Sequence, residues 1–359
     1  MGLYKDEYLH ALLKEMEMRK GYLEGEALET IYLGGGTPSQ LGDADLRRIF
    51  DTIYHLFEVK EDAEITLEAN PDDMTTEYVS ALKALPVNRI SMGIQSFDDA
   101  DLRFLNRRHT RKQAIEAVGI CRENGYENIS IDLIYGLPGQ TPEQWEENLR
   151  EAIKLDVPHL SAYHLTYEEG TPIYRMKEEG RILPVEEDVS VALFDILIDR
   201  LTDAGYMHYE ISNFAKPGRL SRHNSSYWTG KRYLGVGPSA HSYNLESRQW
   251  NVSSLAHYIY GLRFSAPDYE IETLNIHNKY NDYILTKLRT CRGVSLSSIK
   301  TIFGEAKYAY FLKQANQFIL NGMLSRTDDK VALTRKGLFI SDGIISDLLW
   351  VNFYTKQGV

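Results

Sequence analysis

Cysteine is scarce in this sequence, where only Cys121 and Cys291 occur among 359 residues. Two cysteines are too few for a disulfide framework, and they do not have the short spacing of a zinc site. Both lie in apolar, helix-like surroundings, so we expect two buried thiols. Neither can hold a metal cluster alone.

Long apolar runs are missing as well. No stretch approaches the roughly 18 apolar residues that a membrane-spanning helix needs. The N-terminus also lacks the basic and then apolar layout of a signal peptide. The sequence therefore predicts a soluble, cytoplasmic protein.

Positive charge is in short supply over most of the chain. The formal net charge is −11, yet from Tyr283 onward 11 Lys and Arg stand against 5 Asp and Glu. An acidic body argues against general nucleic-acid binding. The basic tail leaves open a contact with an acidic partner or with an anionic membrane surface.

The first half of the chain alternates short β-rich runs with helical patterns. The runs are Thr30–Leu33, Glu64–Glu68, Arg89–Ile94, Asn128–Tyr135 and His159–Leu165. Their spacing is typical of β-α units in a parallel sheet, and Thr141 with Gln144 marks a helix start. A helix with Leu9, Leu12 and Met16 on one stripe precedes the first run, which hints that a strand is missing.

This alternation stops after Thr166, and we predict three regions. Residues 1–166 form the β/α region, and residues 167–280 form an extension that packs on it. Residues 281–359 form a mainly helical domain. Within it, Met323–Arg326 and Val331–Leu333 flank a turn and are typical of the wing of a winged-helix domain.

Polar residues and glycines follow or end the predicted strands. They are Gly34-Gly35-Gly36-Thr37-Pro38, then Glu68, Gln95 and Asp132, and on the fifth run Ser161, Tyr163 and His164. In parallel barrels and open sheets, ligands bind at the carboxyl edge of the strands. The convergence of acids, an amide and a glycine-rich loop predicts a binding site at this edge.

Some of these residues have a simpler explanation when taken alone. The triple glycine is compatible with a tight turn, and it lacks both the dinucleotide-fold spacing and the P-loop lysine. Arg107 is compatible with a solvated cation at a helix end. Glu68 and Asp132 are better candidates, because they lie inside apolar strands where an unpaired carboxylate is costly to bury.

The combination of motifs resembles the coproporphyrinogen-oxidase-like group of radical SAM proteins. The motifs are Gly34–Pro38, Arg89–Phe97, Leu105–Arg107 and Ile131–Pro138, and the likeness extends over residues 8–245. A second block resembles the HemW branch of that group, which is regarded as a family of heme chaperones. It comprises Tyr209–Ala215, His223–Trp228 and Tyr233–Ser242.

The resemblance implies an α/β fold, an incomplete parallel (β/α)6 TIM-like barrel with its first strand missing, followed by the winged-helix-like domain. It also implies S-adenosylmethionine (SAM) at the barrel mouth. Gly35, Gly36 and Thr37 would hold the methionine amino end, and Thr166 would make a backbone contact near the adenine. The residues that match positions contacting the rest of SAM are Glu68, Gln95, Arg107 and Asp132.

The departure from the family concerns its iron–sulfur cluster. Radical SAM proteins hold a 4Fe-4S cluster on a C-x-x-x-C-x-x-C loop, which in this group precedes the position of Tyr8. Cys121 and Cys291 match no cluster position, so we expect the chain as given not to cleave SAM. Two explanations for the missing cysteines stay open. Either the start of the given sequence has been shortened artificially, or the protein is a natural relative without the cluster. The DNA sequence upstream of Met1 would decide between them.

Three functions follow from these patterns. The first is HemW-like heme binding and trafficking, with SAM, heme or a porphyrin, and a heme-recipient protein as partners. The second is oxygen-independent coproporphyrinogen III oxidase activity in porphyrin biosynthesis. The third, a nucleic-acid-binding regulator, is disfavoured by the acidic body. His223 and His241 are the candidate heme ligands beside His164 and His208, and the alternative for each is a hydrogen-bonded core histidine.

Overall fold

The computed structural model describes residues 4–351, so the outer ends of the predicted regions 1–166 and 281–359 lie outside the described residues. The chain divides into two compact units. The barrel unit comprises residues 29–47 and 62–223, and the terminal unit comprises residues 1–28, 48–61 and 224–359. The three-region division stays a prediction.

The main sheet has seven strands in the order β1-β2-β3-β4-β5-β7-β6. The strands are β1 Leu28–Leu33, β2 Val59–Ala69, β3 Arg89–Gln95, β4 Ile129–Tyr135, β5 His159–His164, β6 Met207–Glu210 and β7 Asn213–Ala215. Parallel pairs join β2 to β3, β3 to β4 and β4 to β5. The sheet is a curled half-barrel, which confirms the predicted fold class.

Strand β7 runs against β2–β5, whereas β6, on its far side, runs in the same direction as β5. Strand β7 pairs antiparallel with β5, and β6 pairs antiparallel with β7. The five predicted runs correspond to β1–β5, but the sequence did not foresee β6 and β7. With four and three residues, they are too short to produce a readable alternation.

Fifteen helices occur among residues 4–351. They are α1 Lys5–Met18, α2 Asp43–Leu56, α3 Thr76–Leu82, α4 Asp99–Phe104, α5 Arg111–Glu123, α6 Pro142–Lys154, α7 Pro172–Glu178, α8 Glu187–Asp203, α9 Arg222–Thr229, α10 Leu255–Arg263, α11 Ile276–Leu288, α12 Leu296–Phe303, α13 Glu305–Leu320, α14 Arg335–Leu338 and α15 Ser341–Leu348. Thr141 and Gln144 form the predicted capping box at the start of α6.

The core of the barrel unit lies between the sheet and its covering helices. From the strands it receives the outward-facing Ile90, Ile131 and Leu160, which are fully buried. From α6 it receives Trp145 and Leu149, four residues apart on one helix face and equally buried. This packing fixes the strands and therefore the loops at their carboxyl ends.

The terminal unit contains two small sheets. Strands β8 His241–Tyr243, β9 Ser247–Asn251 and β10 Tyr269–Thr273 form an antiparallel sheet in the order β10-β9-β8. Strands β11 Val294–Ser295, β12 Leu324–Arg326 and β13 Lys330–Leu333 form the other, in which β12 and β13 are the expected wing. The second sheet and helices α11–α15 surround a core that includes Tyr280 and Phe311.

A buried carboxylate joins α1 to the loop before β8 within the terminal unit. Glu15 is 1% exposed and forms an ion pair with Arg19 at 2.9 Å. It also accepts hydrogen bonds from the Gly237 amide (2.9 Å), Asn251 Nδ2 (2.7 Å) and the Tyr258 hydroxyl (2.6 Å). The hydrogen-bonding capacity of the Glu15 carboxylate is therefore filled by groups of the protein itself.

Two further expectations can be compared with the structure. Cys121 is buried in α5 as predicted, but the prediction for Cys291 was wrong because this residue is exposed. Helix α11 ends at Leu288, which leaves Cys291 in the turn that follows. Among the described helices, none combines the length and apolar character of a membrane span.

Candidate functional site

A cavity of about 300 Å³ opens at the carboxyl ends of β3, β4 and β5. Its lining consists of Gln95, Asp132, Ile134, Tyr163, His164, Leu165 and Thr166. Gln95, Asp132 and Thr166, three of the residues predicted to contact SAM, therefore share one cleft. The register explains this proximity, because Asp132 lies opposite Ser161 and both strands end at the facing residues Tyr135 and His164.

Glu68, at the end of β2, organises the glycine loop. Its Oε1 accepts a hydrogen bond from the Tyr32 hydroxyl at 2.6 Å, and its Oε2 accepts one from the Gly35 amide at 3.1 Å. Gly34 has no room for a side chain, because a Cβ there would lie 2.5 Å from the Tyr32 ring and 2.8 Å from the Glu68 carboxyl carbon. The loop thus closes on Glu68 while Gly35 and Gly36 stay exposed, beside the half-buried Thr37.

Gln95 has an unusual backbone conformation for a non-glycine residue. Its φ is 71°, and the pairing of β3 with β4 shifts register between Met92 and Gln95. Such left-handed residues and bulges store strain on the order of 1 kcal/mol and cluster at functional sites. The bulge directs the Gln95 side chain to the cleft wall.

Side-chain hydrogen bonds hold the loop that follows Gln95 in place. The Ser96 hydroxyl lies 2.8 Å from Asp101 Oδ2 and 2.9 Å from Asn148 Oδ1, and Asn148 belongs to α6. Ser96 and Asn148 are buried. This small network ties the exit of β3 to the helix layer, so that Gln95 keeps its position.

Arg107 is half-buried and does not extend into solvent as a helix-end cation would. One of its guanidinium nitrogens lies 3.5 Å from Asn70 Oδ1. Burial lowers the pKa of Arg107, and the carboxylates of Asp72 and Asp132 act in the opposite direction. Arg107 and Asp132 are therefore within electrostatic range of each other.

Asp132 is the carboxylate most affected by the cleft. Burial raises its pKa to about 6, and the neighbouring charge of Glu68 acts in the same direction. A hydrogen bond with Ser161 and the charges of Arg89 and Arg107 oppose this shift. The predicted residues Glu68, Arg107 and Asp132 thus form one coupled group of charges.

The comparisons with known proteins agree with this geometry. A domain of the radical SAM superfamily matches residues 5–152, and the HemN C-terminal domain matches residues 276–340. The protein named heme chaperone HemW of Bacillus subtilis (strain 168) is 33% identical over 346 residues, covering 96% of this chain and 91% of that protein. The chain belongs to the HemW family.

Other relatives extend this result. Heme chaperone HemW of Mycobacterium tuberculosis (strain ATCC 25618 / H37Rv) is 32% identical over 351 residues, covering 97% of this chain and 87% of that protein. The solved structure of coproporphyrinogen III oxidase (HemN) from Escherichia coli gives a TM-score of 0.83 at 24% identity, covering 96% of this chain and 83% of that one. At this identity, the likeness to the oxidase is one of fold.

The HemW-like block places His223 next to the glycine loop, at the start of α9. Its ring stacks on Tyr32 with centroids 4.6 Å apart, and its Nδ1 lies 2.9 Å from the Thr30 hydroxyl. Burial, helped by the charge of Arg89, lowers the pKa of His223 to about 4. The imidazole is therefore neutral at physiological pH, the form that binds metals.

The other candidate histidines differ from His223. The exposed His241 stacks on Trp250 with centroids 6.0 Å apart. Both ring nitrogens of His164 have partners, the Leu165 carbonyl at 2.9 Å and the Ser190 hydroxyl at 3.0 Å. His208 Nε2 lies 3.0 Å from the carbonyl oxygen of Ile211. His164 and His208 thus match the alternative of hydrogen-bonded structural histidines.

A 4Fe-4S cluster does not fit the residues of this chain that the structure describes. Such a cluster needs three thiolates in a radical SAM protein, and the sequence contains two cysteines. Within residues 4–351, no group of three or more His, Cys, Asp and Glu residues could hold a metal ion. The side chains of this range therefore supply no ligand set for the cluster.

Sequence reasoning missed Tyr32 and Arg89. Tyr32 connects Glu68 to His223, a role that becomes visible only when His223 is packed against β1. Arg89 is a buried cation at the start of β3, 2% exposed. A charge inside an apolar strand, the signal that identified Asp132, also applied to Arg89.

Proposed function

We propose that this chain binds SAM in the barrel cleft and serves in heme trafficking, as the names of its HemW relatives indicate. One observation carries the SAM proposal. Glu68, Gln95, Arg107 and Asp132 come from separate strands and loops, yet they converge beside a cavity at the carboxyl edge of a parallel sheet.

The residues of the cleft match the chemistry of SAM. Backbone groups of Gly35, Gly36 and Thr37 suit the amino acid end, because glycines allow a close backbone approach. Carboxylates such as Asp132 accept hydrogen bonds from a ribose diol, and Thr166 offers a backbone contact to the adenine. SAM, when bound, supplies a sulfonium-activated adenosyl and methionine group.

Calorimetric titration with SAM tests this proposal. We expect saturable binding that weakens about tenfold or more in Asp132→Asn and in Glu68→Gln, since each change removes a charged acceptor. Asp188→Asn, an identical change on the exposed first turn of α8, is the matched control and should leave the affinity unchanged. Equal affinity in all four proteins would contradict the proposal.

Heme binding forms the second part of the proposal, with His223 favoured over His241 as the axial ligand. The neutral His223 ring lies among aromatic and hydroxyl groups. In contrast, the cavity around His241 is also lined by the carboxyl side chains Asp268 and Glu270, which would repel the propionates of heme.

A hemin titration followed by the Soret band separates these candidates. We expect saturable binding that is lost in His223→Ala and retained in His241→Ala, with both variants melting at the temperature of the parent. Loss in His241→Ala alone would assign the ligand to the terminal unit. Binding that never saturates would mean that hemin adsorbs to apolar surface, and the heme proposal would fail.

The remaining parts of the proposal concern the cellular context. A cytoplasmic location, a heme-recipient protein and contact of the basic C-terminal region with an anionic membrane surface would accompany heme trafficking. Oxidase activity has only the fold likeness to HemN in its favour, so it is not proposed.

A further inference from the structure

The small sheet of the terminal unit presents a row of three side chains that the proposed SAM and heme functions do not use. His241, Trp250 and Glu270 lie directly opposite one another on β8, β9 and β10. Residues paired in this way point to the same face of a sheet. The stacked His241 and Trp250 rings therefore form an aromatic platform with a carboxylate at one end.

A cavity of about 380 Å³ lies over this platform. Its lining consists of Ser239, His241, Trp250, Asn251, Val252, Ser253, Asp268, Tyr269 and Glu270. Asp268 and Glu270 are exposed, and neither forms an ion pair with any described residue. An aromatic floor with unpaired carboxylates at its rim is a typical site for a lysine or arginine side chain.

Strand β10 is also an edge of this sheet, pairing only with β9 among the described strands. The Asp268 carbonyl accepts a hydrogen bond from the Val252 amide, and the Leu274 amide donates to the Glu246 carbonyl. Because strand backbones alternate, the amides and carbonyls of Tyr269, Ile271 and Thr273 point away from β9. These groups are a template for one more strand.

The side chains of this edge favour a particular occupant. On one face β10 carries Glu270 and Glu272, and on the other it exposes Tyr269 and Ile271, the latter by 60% of its surface. A strand added to β10 would place its own alternate residues beside these two faces. Glu272 is already paired with Arg248 at 3.3 Å, so the unpaired Glu270 is the group that favours a basic residue on the first face. Burial of Tyr269 and Ile271 favours apolar residues on the second face.

We propose that the edge of β10 and the adjoining His241–Trp250 cavity bind an extended segment of a partner protein in which basic and apolar residues alternate. The added strand forms backbone hydrogen bonds with Ile271, and one basic side chain enters the cavity between Trp250 and Glu270. This surface belongs to the terminal unit and does not depend on SAM or heme.

Fluorescence anisotropy on the full chain tests the proposal, with a fluorescein-labelled peptide of alternating lysine and valine as the probe. We expect saturable binding that weakens about tenfold or more in Glu270→Lys and in Ile271→Pro. The proline removes an amide on the open side of β10, where pairing with β9 is not affected. A peptide of alternating glutamate and valine should not bind.

Matched controls make this experiment decisive. Glu17→Lys places the same charge reversal at an exposed position of α1, and Ile271→Val keeps the amide, so both should bind the lysine peptide like the parent. A loss in Glu17→Lys equal to that in Glu270→Lys would reduce the binding to general charge attraction and overturn the proposal. Absence of saturable binding to the parent would overturn it as well. If Ile271→Pro melts earlier than the parent, the affinity of Glu270→Lys alone decides between these outcomes.

Discussion

The buried Glu15 of the terminal unit and the half-buried Asp132 of the barrel unit show two ways in which a fold accommodates a carboxylate that is shielded from solvent. Glu15 in the terminal unit accepts hydrogen bonds from four groups and is closed off from solvent. Asp132 in the barrel unit faces a cavity, and burial raises its pKa to about 6. Protein donors fill the hydrogen-bonding capacity of Glu15, whereas Asp132 has a hydrogen bond with Ser161 and otherwise faces a cavity that a ligand can enter, as is typical of functional sites.

The largest expected effect concerns the satisfied carboxylate. Glu15→Ala should destabilise the terminal unit by about 3–5 kcal/mol, because it removes the acceptor of the Gly237 amide and the Tyr258 hydroxyl and leaves the half-buried Arg19 without its carboxylate partner. Thermal unfolding measures this loss, and SAM affinity should not change. Glu17→Ala, an exposed position on the same helix, is the control and should shift the melting temperature little. Similar effects of both substitutions would show that the Glu15 network contributes no stability.

Asp132→Asn should act in the opposite direction. The folded protein binds the Asp132 proton more tightly than the unfolded chain, so the parent loses stability as the pH rises from about 4 through about 6. The amide does not titrate, and the variant should therefore be more stable than the parent by about 1–3 kcal/mol above pH 6. Below about pH 4 this difference should vanish. Denaturant unfolding across this pH range measures it, and a variant that is less stable at pH 7 would contradict the account.

Tyr32→Phe tests the contribution of a single hydrogen bond to the proposed SAM site. The variant keeps the ring that stacks on His223 and loses the hydroxyl that donates to Glu68. We expect SAM affinity to fall about fivefold, near the 1 kcal/mol of one hydrogen bond, while hemin affinity stays unchanged. Tyr54→Phe, on the exposed side of α2, is the matched control. A loss of hemin affinity in Tyr32→Phe would mean that the two sites are coupled through this hydroxyl.

The smallest expected effect is none at all. After iron–sulfur reconstitution, this chain should stay colourless and release no 5′-deoxyadenosine from SAM, because it has two cysteines and a radical SAM cluster needs three. Visible absorbance in the charge-transfer bands of an iron–sulfur cluster measures cluster binding, and chromatography of the reaction mixture measures 5′-deoxyadenosine. Stoichiometric cluster binding would reveal ligands other than cysteine.

The barrel unit could be predicted from the sequence to a large extent, whereas in the terminal unit the prediction reached helix α1, the helical C-terminal part and its β12–β13 hairpin but not the sheet of β8–β10. Strands β1–β5 alternate with helices at regular spacing, and the carboxyl ends of such strands necessarily meet at one edge. In the structure Gln95, Asp132 and Thr166 line one cavity at this edge, and their role in binding SAM stays a prediction. The left-handed conformation of Gln95 has no sequence signal, because it results from a bulge between paired strands.

The sheet of β8–β10 is harder to foresee. Its strands have three to five residues, and their pairing joins positions whose contacts no local pattern encodes. The His241–Trp250–Glu270 row arises from register alone, which a single sequence does not reveal. Tyr32 was missed for a related reason, since its partners Glu68 and His223 lie far along the chain.

The central claim is that the cleft beside Asp132 is a SAM site, and a crystal structure of this chain grown with SAM tests it most directly. The account predicts electron density for the adenosyl group between Asp132 and Thr166, with the methionine end at the loop of Gly35 and Gly36. Well-ordered SAM bound elsewhere, or an empty cleft at saturating SAM, would contradict the account.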